Sequence, residues 1–96
     1  MLKHVVFIKF KPGTAEEQIE DIEKSLGRLP RLIPEIEGYE FGRDLLHSER
    51  SYDFSLVSAF NDMASMLQYQ RHPDHAVVVD KIKRISESIL SVDFEY

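Results

Sequence analysis

Tyr69, His72 and His75 fall within one seven-residue stretch, Tyr-Gln-Arg-His-Pro-Asp-His, around a proline break at Pro73. Imidazole titrates near neutral pH. A phenol within hydrogen-bond reach fixes which ring nitrogen carries the proton and leaves the other free as a base. Tyr69 and His75, six positions apart across the break, can turn toward one cavity and so form a candidate acid–base pair. His4 is the one other ionisable group deep in an apolar run, Lys3-His4-Val5-Val6-Phe7-Ile8-Lys9-Phe10, and a strand can carry it back to the same pocket. Each residue also has a plainer role available. His4 can cap a strand edge by bonding a carbonyl, His72 directly before Pro73 can serve as a helix N-cap, and Tyr69 and His75 can be packing groups. His72, Asp74 and His75 do not have a recognised metal-ligand spacing and lack a fixed fourth ligand, so no metal site is expected. His47 sits in a polar loop, and Met63 and Met66 read as core packing.

The elements that must position these groups follow from periodicity. Residues 2–11 carry apolar side chains on both alternating faces, His4, Val6, Ile8 and Phe10 against Val5 and Phe7, which describes a strand covered on both sides. Lys11-Pro12-Gly13 ends it, and Thr14 with Glu17 predicts a capping box opening a helix. Ile19, Ile22, Leu26 and Leu29 recur at three- and four-residue steps along that helix, which Pro30 is expected to stop, leaving Leu32-Ile33-Pro34 as a docked turn. Strands follow at about Tyr39–Asp44 and Tyr52–Phe60, joined by a polar loop. Asn61 or Asp62 caps a short helix, and Pro73 starts another whose predicted stripe is Val78, Val79, Ile82, Ile85 and Ile89. Leu90, Val92 and Phe94 alternate with polar residues as a last strand.

This order, β-α-β-β-α-α-β, gives an α+β fold: a ferredoxin-like plait, a four-stranded antiparallel sheet with its helices on one face, spanning residues 1–96 as one domain. His4, Val6 and Ile8 then face Phe54 and Leu56 across neighbouring strands. The cavity between sheet and helices is greasy with a few polar groups, which suits a small, mostly apolar ligand, and Val6, Ile8, Phe54, Leu56 and His72 are its candidate contacts. The other sheet face, with Val5, Phe7, Val57 and Ala59, has no cover within one chain. Two copies laying these faces together would close a barrel, so a homodimer is expected.

Lys3-His4 opening the first strand, Phe10-Lys11-Pro12-Gly13-Thr14 leaving it, Ile33-Pro34, His72-Pro73-Asp74-His75 and the closing Val92-Asp93-Phe94-Glu95 together resemble the stress-responsive A/B barrel family. The resemblance runs from residue 3 to residue 95 and implies the same plait and a dimeric α/β barrel. In the family's plant polyketide cyclases the matching tyrosine and second histidine form the catalytic pair and the strand-one histidine contacts substrate. The resemblance thus places those roles on Tyr69, His75 and His4. It implies proton removal from carbon next to a carbonyl, as in an aldol-type cyclisation or related lyase step, without metal or organic cofactor. Ile22 and Leu26 stand where those cyclases turn aromatic residues toward the pocket, a departure that bears on substrate.

Composition bounds the alternatives. The formal net charge of −5 and the scattering of the twelve basic residues argue against a nucleic-acid surface. No cysteine is present, which fits a reducing compartment, and no apolar run approaches the ~18 residues that span a bilayer; a cytoplasmic location is the expectation. Two readings follow: a cofactor-free enzyme or binder acting on a small apolar or aromatic carbonyl compound, and a non-catalytic dimeric stress-associated or ligand-binding protein. Fold analogy cannot choose between them.

Overall fold

A computed structural model describes residues 1–96, with the elements β1 (Leu2–Phe10), α1 (Glu16–Leu32), β2 (Gly38–Arg43), β3 (Phe54–Phe60), α2 (Met63–Arg71), α3 (Pro73–Ile85) and β4 (Ser86–Glu95). The sheet runs β2-β3-β1-β4, every neighbouring pair antiparallel. This is the ferredoxin-like plait, with all three helices packed on one face.

Register decides which side chains meet. His4 pairs with Ser58 on β3 and with Asp93 on β4, Val6 with Leu56 and Ser91, and Ile8 with Phe54 and Ile89, so all of these share the helix side of the sheet. Tyr39 and Phe41 of β2 reach the same side opposite Ser58 and Leu56. The core between sheet and helices contains Ile8, Ile22, Leu26, Leu29, Ile33, Phe54, Phe60 and Tyr69, each at most 2% exposed.

Several local expectations are corrected. Ala15 rather than Thr14 precedes α1. Gln18 Oε1 accepts the Ala15 N–H at 3.0 Å, while the Thr14 hydroxyl donates to the Lys11 carbonyl, closing the turn instead of capping the helix. Pro30 does not stop α1, which runs on to Leu32. A proline in the last turn forfeits the bond its own N–H would give. The turn beyond it is held by the Ile33 N–H on the Leu29 carbonyl at 2.9 Å and by full burial of Ile33. The third strand begins at Phe54. Asp53 just before it still bonds β1 and the end of β2 through its backbone, to the Ile8 carbonyl and from the Asp44 N–H, both at 2.9 Å, and its side chain accepts the Phe10 N–H at 2.8 Å beside the register shift between Lys9 and Phe10. Ile89, which continues the helical repeat of α3, lies on β4 instead. The helix ends at Ile85, and from Ser86 the backbone takes up ladder bonds along β1 that would otherwise stay unmade. Met63 is half exposed in the first turn of α2, whose buried residues are Met66 and Tyr69.

On the face away from the helices, Val5 and Phe7 pair with Val57 and Ser55 on one side and with Val92 and Leu90 on the other, and Lys3 pairs with Phe94. Phe7, Leu90, Val92 and Phe94 are 42–58% exposed there. Ala59, expected on this open surface, is already buried between Lys3 and Gly38 of the adjoining strands; a Cβ at Gly38 would approach the Ala59 methyl to 3.3 Å. β4 supplies the apolar area in its place.

Candidate functional site

The proline break places the histidines of the Tyr69–His75 segment in different roles. His72 ends α2 and caps α3, its Nδ1 accepting the Asp74 N–H at 3.1 Å, and Pro73 takes the first helical position, where its missing donor is not needed. That bond occupies the His72 nitrogen nearest α3. His75, still in the first turn of α3, swings its ring back onto α2. Its Nδ1 lies 3.2 Å from the Gln70 carbonyl, one of the last-turn carbonyls that α2 leaves without a helical donor, and its ring centroid is 4.3 Å from that of Tyr69. The partner that fixes the His75 tautomer is therefore a backbone carbonyl rather than the Tyr69 hydroxyl. With Nδ1–H donated to it, Nε2 carries the lone pair.

Tyr69 is 1% exposed, its ring packed on Phe60 with centroids 4.9 Å apart, and its hydroxyl lies 2.8 Å from that of Tyr39. Sequence reasoning missed Tyr39. Its alternation with Phe41 on β2 is a signal for an inward-facing side chain, but nothing local points it at Tyr69. On β1, the His4 Nδ1 is hydrogen-bonded to Asp93 Oδ1. The partner sits in the closing strand motif, and its role appears only once β1 and β4 are in register. The carboxylate orients the ring and leaves His4 Nε2 as the free nitrogen, the arrangement by which a carboxylate positions an imidazole for proton transfer.

These elements enclose a cavity of about 260 Å³ walled by 14 residues, nine of them hydrophobic. His4, Val6 and Ile8 of β1, Leu56 of β3, Tyr69 and His75 all line it. Phe54 does not. It lies further along the same face, stacked on Phe41 at 6.0 Å and tilted against Phe10 at 6.1 Å. His72, spent on its cap, is also outside the wall. The volume is just under the range of about 300–1,000 Å³ usual for small-molecule sites, so the space suits a small ligand.

Burial sets the electrostatics. It pushes the His75 imidazole below its ordinary value, the Gln70 carbonyl acting in the opposite direction and the nearby His4 and His72 adding to the fall. The ring is thus neutral at neutral pH, with a lone pair facing apolar walls. Burial likewise pushes the Tyr69 phenol up to about 12, against the lowering effect of its Tyr39 partner, and drives Tyr39 up as well, with Tyr69 contributing. Both phenols stay protonated. In the pair one hydroxyl donates and the other accepts, and the acceptor keeps its own proton to give elsewhere. No group of three acidic, histidine or cysteine side chains is arranged to hold a metal ion, and no helix is long and apolar enough to cross a membrane.

The profile of the family described as the stress responsive A/B barrel domain matches residues 2–96. The chain belongs to that family. Among relatives in this A/B barrel family, it is 26% identical over 98 residues to the stress-response A/B barrel domain-containing protein HS1 of Arabidopsis thaliana, covering 98% of this chain and 88% of that one. It is also 26% identical over 95 residues to olivetolic acid cyclase of Cannabis sativa, covering 97% and 94%. Among solved structures, a dimeric ferredoxin-like protein of unknown function from Thermobifida fusca superposes with a TM-score of 0.91 at 28% identity, over 99% of this chain and 90% of that one.

Proposed function

We propose that this A/B barrel protein is a homodimer whose cavity binds a small, mostly apolar carbonyl compound and performs cofactor-free acid–base chemistry on it. The observation that carries this reading is that His4, Tyr69 and His75, far apart in sequence, line a single apolar cavity. Each histidine has its Nδ1 engaged and Nε2 left over. In the proposed step His75 Nε2 takes a proton from carbon next to the carbonyl. The electron pair moves onto the carbonyl oxygen, with His4, its ring held through Nδ1 by Asp93, as the polar side chain on β1 that contacts the substrate. Tyr69 closes the wall beside His75. A relative that is a cyclase supports carbonyl chemistry as the class, and a dimeric neighbour supports a homodimer.

Against a panel of aryl ketones and β-keto esters, His75→Ala is expected to lower turnover by about 10²–10⁴-fold, the usual contribution of a positioned base. It should do so with little change in melting temperature. Loss of stability with ligand binding unchanged would end the catalytic reading.

A second reading, a non-catalytic ligand-binding protein, is favoured by one feature: the Tyr69 hydroxyl is committed to Tyr39 and its ring packs as a core residue. Binding of the ketones without turnover by any of them would select it.

A further inference from the structure

The cavity's polar inventory is one-sided. No Asp or Glu is among its 14 wall residues, although the chain as a whole has a net charge of −5. Asp93, the acid bonded to His4, is not among them. The wall does include one permanent cation, Lys83, on the last turn of α3. Of the three cations on α3, Lys81 is bridged to Asp21 at 3.1 Å and Arg84 to Asp80 at 2.6 Å. Lys83, the one on the cavity wall, has no carboxylate partner.

His75 and Lys83 are eight positions apart on one helix, about 12 Å along its axis. Val78, Val79 and Ile82 fill the wall between them, and Ser91 of β4 adds a hydroxyl. The wall thus reads from a neutral imidazole through an apolar stretch to Lys83, an exposed lysine whose ammonium has no carboxylate partner. We propose that the ligand is an elongated monoanion, with its carbonyl at His75, an apolar middle against α3, and a carboxylate or equivalent anion held by Lys83. This rests on the cavity being a ligand site, as argued above, and adds the charge and length of what it takes. A cation in the last turn of a helix also suits the helix dipole, but that role affects stability and does not distinguish an acid from its neutral isostere.

The pair 9-oxodecanoic acid and 9-oxodecanamide tests this, being alike in size and ketone position and differing in charge. Titration calorimetry at low ionic strength and neutral pH is expected to show the acid binding on the order of tenfold more tightly, the low end for a hydrogen bond to a charged group. Lys83→Met should bring the acid down to the affinity of the amide and leave the amide unchanged, and Lys83→Arg should restore most of the preference. Equal binding of acid and amide to the parent protein, or equal weakening of both by Lys83→Met, would overturn the proposal. In those cases the ligand-site reading survives if His75→Gln weakens both probes. Binding of neither probe overturns the proposal, and if the ketone panel is not bound either, the ligand-site reading falls with it.

Discussion

At the scale of single residues, His75 links the site to pH. Its imidazole takes up a proton in the unfolded chain near the ordinary value of 6.5 and only at lower pH when folded, because burial disfavours the charged ring. The unfolded state therefore binds more protons as pH falls through this window. The contribution of neutral His75 is complete above about 6.5 and is lost on acidification toward the folded value. His75→Gln should flatten this part of the stability profile, measured as urea midpoints from pH 7.5 down to about pH 5. An unchanged slope would place the titration on another group. Tyr39 makes a separate prediction. Its hydroxyl is the partner that draws the Tyr69 phenol down against the effect of burial. Tyr39→Phe should cost about 1–3 kcal/mol in chemical denaturation, for the buried Tyr69 hydroxyl left unpaired.

At the scale of elements, α3 separates devices that start a helix from contacts that hold it. Pro73 presets the first turn and His72 caps it with one bond at 3.1 Å, whereas Ile82 and Ile85 bury the helix against the core. Pro73→Ala should therefore cost well under 1 kcal/mol, since alanine suits the same position. Ile82→Ala should cost roughly 2–5 kcal/mol, toward the lower end because Ile82 borders the cavity. Chemical denaturation of the two variants compares them directly, and the reverse ranking would mean that the break at Pro73, not the apolar stripe, secures α3. Pro30 in α1 shows the same balance, for burial of Leu29 and Ile33 carries the helix past a residue that ordinarily ends one.

At the scale of the whole molecule, the sheet face away from the helices is the surface through which the proposed dimer would form. Phe7, Leu90, Val92 and Phe94 stand exposed in adjoining strands with Val5 and Val57 between and beside them. A contiguous apolar surface of this kind is normally covered by a partner. Sedimentation at micromolar concentration should give a mass near twice 11.2 kDa. Val57→Glu should shift the protein to monomer, because the new carboxylate would lose hydration in the contact and would also stand opposite Glu40 in the β2–β3 ladder. A variant that stayed dimeric would show that the copies meet elsewhere.

The sequence alone determined the order of elements and the faces of the strands. Alternation in residues 2–10 and 54–60 sorts inward from outward side chains without reference to anything distant, and the order of elements leads to the plait. Tertiary structure decided the partners. His4 and Asp93 are 89 positions apart and meet because β1 and β4 pair in one particular register, from which a slip of one residue would turn Asp93 to the opposite face. Tyr39 and Tyr69, 30 positions apart, meet because β2 pairs with β3 in a register that turns Tyr39 to the helix side of the sheet. Ile89 fits the helical repeat as well as the strand, and only the free edge of β1 settles which it joins. Local periodicity records which way a side chain points, whereas the group it meets depends on pairing between segments that no local pattern encodes.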